Sequence, residues 1–268
     1  MSEPGAAERG SANQRFPQLL APRGWPDFFF QVALLGSFEL VYALSGIYGR
    51  DRAGAAVGNA RDVMHLEGLL GLSWEHGIQD WALAAPHVAL EVANRMYFVS
   101  QFWVSTVFLL WVYVRRTERF RVVRNALLAA NAVSVLVLFA YPTAPPRLVP
   151  GAGFVDTLDS NAVNLHSSLI DALNNPYSAM PSLHASYAIV IGVAGVALTR
   201  SVWARCAWML YPLVVAYSVI ATGNHFVLDI VVGVAAPLAF LLVGRVEAAI
   251  ARQRSRGSVG SAEGVASS

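Results

Sequence analysis

The chain has 268 residues, of which 56% are hydrophobic and only 13% charged. About a quarter of a typical soluble protein is charged, so this balance excludes a disordered chain, a collagen-like chain and most water-soluble enzymes, and its net charge of +2 gives no reason to expect nucleic acid. The single cysteine, Cys206, excludes an intramolecular disulfide and a cysteine-built metal site, and all 19 basic residues are arginine, which excludes Schiff-base chemistry on lysine.

Residues 1–24 are polar, with Arg9, Arg15 and Arg23, and lack the compact apolar core and cleavage site of a signal peptide. They predict a flexible cytoplasmic tail. Six apolar stretches follow, near 27–48, 92–114, 125–141, 183–199, 205–222 and 226–244. Each approaches the roughly 20 residues needed to cross a bilayer. Backbone groups in lipid need internal partners, and these runs do not alternate, so the expectation is helices. The fold class is therefore all-α: a polytopic membrane protein with six transmembrane helices and outer interfacial helices. Its membrane domain covers 25–250, and residues 251–268, rich in Arg, Ser, Gly and Ala, form a disordered cytoplasmic tail.

Two segments between the spans read differently. Residues 60–84 mix Val63, Leu66, Leu69, Leu70, Trp74, Ile78 and Trp81 with charges, which predicts one or two helices on the outer membrane surface. Glu67, Glu75 and Asp80 are expected on their wet face, and His65, His76, His87 and His166 on the surface. Residues 142–182 form a long loop rich in Pro, Gly, Asn and Asp, of the kind that carries function or is disordered. Glu39 falls inside the first span, where it calls for a polar partner in the bundle. Arginines cluster after the second span, between spans four and five, and after span six, which places those segments and both termini in the cytoplasm.

Three clusters then fall on the opposite, outer face: P-T-A-P-P-R-L at Pro142–Leu148, A-M-P-S-L-H-A-S at Ala179–Ser186, and T-G-N-H-F-V-L-D at Thr222–Asp229. His225 and Asp229 are four residues apart at the start of a helix and share one face. The carboxylate can fix the imidazole tautomer and leave one ring nitrogen to attack; a purely structural bond between helices is the alternative. Asp229 is the only acidic residue in the last three spans, and an ionisable group there is a functional candidate. Ser182 reads as an N-cap, before a helix start whose amides favour an anion. His184 beside it can protonate a leaving oxygen, or is an idle interfacial histidine. Arg147, after a stiff proline pair, suits bidentate phosphate recognition, or is a solvated loop arginine. Arg95, in N-R-M-Y-F, offers a second cation or snorkels to the interface. Together these residues form a constellation suited to phosphoryl transfer.

The clusters resemble the type 2 phosphatidic acid phosphatase superfamily, and A-M-P-S-L-H with H-F-V-L-D resembles its branch of inositol phosphorylceramide synthases. The resemblance spans about residues 90–245. It implies a nucleophile at His225 forming a phosphohistidine, an orienting carboxylate at Asp229, an acid and base at His184, a phosphate-cradling turn at Ser182, and neither metal nor other cofactor. The chain departs from the widest family pattern in having no lysine, in the leucine after Arg147, and in Val219 where an arginine is usual. The expected function is hydrolysis of a lipid phosphate or polyprenyl phosphate at the extracytoplasmic face of the plasma membrane. Transfer to an alcohol is the alternative, and a non-catalytic lipid-binding or transport protein a third. Fewer phosphate-binding cations favour a phosphodiester, whereas water is always available as acceptor.

Overall fold

A computed structural model of the protein describes residues 20–160 and 176–245. The terminal tails, His166 and the middle of the long loop lie outside the described residues. The helices are α1 (Trp25–Arg50), α2 (Ala53–Leu70), α3 (Glu75–Ala84), α4 (His87–Arg115), α5 (Thr117–Ala140), α6 (Leu183–Leu198), α7 (Val202–Ala221) and α8 (Val227–Arg245). The β pairing among the described residues is one bridge, Thr143 to Ser178. Five helices, α1, α4, α5, α7 and α8, are long and apolar enough to cross a membrane, and α6 is a shorter apolar helix.

α6 is short because it does not face lipid along its length. Its buried residues run around the helix from Leu183 to Gly195, as expected of a helix apolar on all sides. It packs on α5 and α7. Glycines allow the closest approach: a Cβ on Gly195 would lie 2.4 Å from the Trp208 ring, and one on Gly192 would lie 2.7 Å from Pro212. Pro212 sits inside α7 and cannot donate to the carbonyl one turn back, that of Trp208. That carbonyl lies against Gly192.

α1 packs on α5 at the side of the bundle. Glu39 finds its partner in α6: the Tyr187 hydroxyl donates to it, and Asn131 of α5 donates to Tyr187. At the arginine-rich end, Tyr113 donates to Asp27, Gln31 donates to Asp27, and Arg124 donates to Gln31, which ties α1, α4 and α5.

α4 is one span with a π-helical turn at Ser100–Val104. The wider turn changes the facing of the helix halfway along. Asn94 and Ser100 are buried before or at it, and Phe108 and Val112 after it.

The surface segment is a pair of helices, α2 and α3, joined at Gly71, whose φ of +69° suits a left-handed helix end. Here one expectation is overturned. Glu67 and Glu75 are not on the wet face: they are 1% and 3% exposed, while Asp80 is exposed. Ala56, Ala60, Val63 and Glu67 form the buried stripe of α2, and Glu75, Gln79 and Ala82 that of α3. Both stripes are spaced for one helix face. They turn inward because their polar ends have backbone partners waiting in the bundle.

Candidate active site

The site forms where the start of α6, the lead-in to α8 and the loop after α5 meet. Ser182 caps α6, its hydroxyl accepting from the Ala185 amide at 3.3 Å. Its own N–H donates to the Asp229 carbonyl at 3.0 Å, which fixes the α6 start on α8. Ser186 reinforces this by donating to the Gly233 carbonyl. Gly233 is required there, because a Cβ would lie 2.5 Å from the Ser182 carbonyl oxygen.

α7 ends in a tight turn, Thr222-Gly223-Asn224, before His225. The amides of Asn224 and His225 both donate to the Val219 carbonyl. Gly223 has φ of +69°, a conformation other residues rarely adopt. His225 is 6% exposed. Its Nδ1 lies 2.8 Å from the Ala179 carbonyl and 3.4 Å from Asp229 Oδ2. A carbonyl only accepts, so this bond assigns the proton to Nδ1 and leaves a lone pair on Nε2. Asp229 is fully buried. Its Oδ2 also accepts from the Phe226 amide at 2.9 Å.

His184 faces His225, with ring centroids 5.8 Å apart. Tyr97 of α4 stacks on His184 at 4.4 Å, and its carbonyl lies 3.1 Å from His184 Nε2. By the same reasoning Nε2 carries a proton and Nδ1 is the nitrogen not committed to this bond.

Arg147 arrives on a 3-10 turn, Pro146–Leu148. Its backbone N–H donates to the Gly223 carbonyl. Its Nε donates to Asn224 at 2.9 Å and its Nη1 to Asp156 at 2.8 Å. The guanidinium is therefore held against the turn that carries His225. Gln79 of α3 braces both sides of this junction, donating to the carbonyls of Val155 and Ala221 and accepting from the Val155 amide.

Five of the six sequence-selected residues are thus gathered: His184, His225, Asp229, Ser182 and Arg147. Arg95 is not. Its side chain is 74% exposed and pairs with Glu91 one turn away on α4. The residue facing inward there is its neighbour Asn94, which exchanges hydrogen bonds with Thr157. Reading the sequence also missed Tyr97, Asn224, Asp156, Gln79 and the two buried glutamates. For Glu67 a signal existed: it continues the stripe of Ala56, Ala60 and Val63 along its helix. No cluster of three His, Cys, Asp or Glu among the described residues is arranged as a metal site.

With this geometry in place, comparison with known proteins decides the family. The model of the PAP2 superfamily matches residues 61–243. The chain belongs to the PAP2 superfamily. This superfamily's members are phosphatases or phosphotransferases of membranes. Among curated proteins, the chain is 25% identical over 185 residues to the phosphoinositol dihydroceramide synthase of Bacteroides thetaiotaomicron, an alignment covering 60% of this chain and 55% of that protein. The chain therefore spans about half the length of that relative. Among solved structures, the crystal structure of Aquifex aeolicus LpxE matches with a TM-score of 0.49 and 15% identity, over 64% of this chain and 93% of that one.

Proposed function

We propose that this PAP2 protein cleaves a phosphate ester of a membrane lipid through a phosphohistidine at His225. The observation that carries this reading is the fixed tautomer of His225: Nδ1 is committed to Ala179 and Asp229, so Nε2 is left as the nucleophile beside His184. In the first step Nε2 attacks phosphorus, the bond to the lipid oxygen breaks, and that oxygen takes the Nδ1 proton of a His184 that enters the step doubly protonated, its Nε2–H staying on the Tyr97 carbonyl. Asp229 stabilises the positive charge that develops on the ring. In the second step water gives a proton to His184 and attacks phosphorus, and the P–N bond breaks. Arg147 and the Ser182 hydroxyl hold the phosphoryl oxygens, which is where charge accumulates. The site faces outward, opposite the arginine-rich end, with both termini in the cytoplasm.

The second reading gives the phosphoryl group to an alcohol in place of water. Its support is the synthase relative together with a single gathered arginine, a weak grip for a doubly charged monoester and an adequate one for a phosphodiester.

One experiment separates these readings. Purified protein is offered a lipid phosphate monoester and a phosphodiester, each with and without candidate alcohols. Phosphate released from the monoester alone supports hydrolysis; product formed only with an alcohol replaces it with transfer. His225→Ala is expected to abolish either activity and His184→Ala nearly so, without additivity in the double variant. Asp229→Asn retains part of it. An active His225→Ala variant removes the covalent mechanism.

A further inference from the structure

α8 begins without a polar N-cap of its own, since that position is Phe226. Yet three amides at its start have side-chain partners. The Phe226 amide donates to Asp229 Oδ2 at 2.9 Å, that of Val227 to Glu75 Oε1 at 2.8 Å, and that of Leu228 to Glu67 Oε1 at 2.7 Å. The first bond is the local half of a capping box, an acidic side chain reaching back from the third helical position. The other two come from α3 and α2, 152 and 161 residues away in the chain. Three consecutive amides thus end on three carboxylates from three elements.

Glu67 and Glu75 are buried, and neither forms an ion pair with a basic side chain among the described residues. A buried charge without compensation is costly. What compensates them is the positive end of α8, whose amides donate to both. Each gives one carboxylate oxygen to an amide of α8. Asp229 then completes the set, and the same Oδ2 that receives the Phe226 amide faces His225. Any displacement of the first turn of α8 therefore moves His225 and its carboxylate together, away from His184 on α6.

We propose that Glu67 and Glu75 are positioning residues that hold the first turn of α8 and so set His225 and Asp229 against His184. The proposal rests on the reading of His225 as nucleophile. The surface helices α2 and α3 then act as a bracket, reaching over the bundle end to fix the reacting turn.

The test uses the full chain in lipid nanodiscs with 15N-labelled histidine. The Nδ1–H signal of His225 is identified by its loss in His225→Ala. Glu67→Ala and Glu75→Ala are expected to shift or broaden that signal. They are also expected to lower kcat on the order of 100-fold, the scale of a misplacement near 1 Å, with KM within about twofold. Glu75→Gln keeps the oxygen that accepts from the Val227 amide. It is expected to rescue the His225 signal and most of kcat. Should the alanine variants not fold, Glu75→Asp replaces them: it keeps the charge, draws the oxygen back by one methylene, and is expected to show the same losses. An unmoved His225 signal with unchanged kcat in these variants overturns the proposal, as does a folded Glu75→Gln variant that loses both. The spectroscopic result stands apart from turnover. If the signal moves as expected while His225→Ala still turns over normally, the bracket stands and the nucleophile assignment falls.

Discussion

Arg147 enters the site with Nε on Asn224 and Nη1 on Asp156. Pinned in this way, the guanidinium is oriented before any phosphate arrives. Arg147→Ala is expected to reduce kcat/KM by about 2–4 kcal/mol, the scale of one lost transition-state donor. Arg147→Lys should recover only part, because an ammonium lacks the planar fork; steady-state kinetics on the lipid phosphate would check both. Glu67 leads to a different measurement. Burial, with Glu75 alongside, pushes its carboxyl up to about 8 from an ordinary 4.5. Between those values the folded protein holds a proton that the unfolded chain has released. Stability therefore falls as pH rises through this window and levels off above it. Glu67→Gln removes that titration, and its melting temperature in detergent should change less between pH 5 and pH 8 than the wild type's. The histidines and Asp229 were legible in the sequence because an ionisable group in an apolar run stands out. Glu67 and Glu75 were not, because they lie among other charges, where an acidic residue reads as solvated. Only the place of Glu67 on the stripe Ala56-Ala60-Val63-Glu67 marks it as buried.

Between elements, the closest contact in the site is α8 against the turn before α6. A Cβ on Gly233 would lie 2.5 Å from the Ser182 carbonyl oxygen, and backbone cannot yield as a flexible side chain does. Gly233→Ala is expected to cost about 1–3 kcal/mol of stability, the usual scale of overpacking. It should also lower kcat by separating the two histidines. Gly36→Ala on α1 is the control, because nothing lies within 4 Å of a Cβ there. Thermal unfolding and kinetics on both variants test this pair. The six apolar runs announced helices, since a bilayer imposes length and composition on whatever crosses it; five are long and apolar enough to cross a membrane, and α6 is shorter. The π turn in α4 left no such trace, because it depends on which partners the rest of the chain presents.

For the molecule as a whole, the arginine asymmetry predicts the orientation, with the proposed site outside. In a Cys206→Ser background, Asp80→Cys is expected to react with an impermeant thiol reagent in intact cells, and Arg119→Cys only after permeabilisation. Both positions are exposed. The opposite result would turn the site toward the cytoplasm. The three clusters around Arg147, His184 and His225 are far apart in sequence, and recognising them together required only the order of the spans. How they are braced required the coordinates.

The two longest-range of these braces bear on how the protein is made. α8 is the last described helix to leave the ribosome, and two of its first amides find their acceptors on segments synthesised long before. Contacts so distant in sequence form late in folding. A nascent chain still lacking α8 carries Arg147, His184 and His225 without Asp229, the carboxylate that faces His225. Even a freshly inserted α8 stays unaligned until its first turn docks beneath α2 and α3. Under the proposed function, the site is complete only once α8 has docked, and a chain stalled or truncated before that point is expected to be inactive toward lipid phosphates.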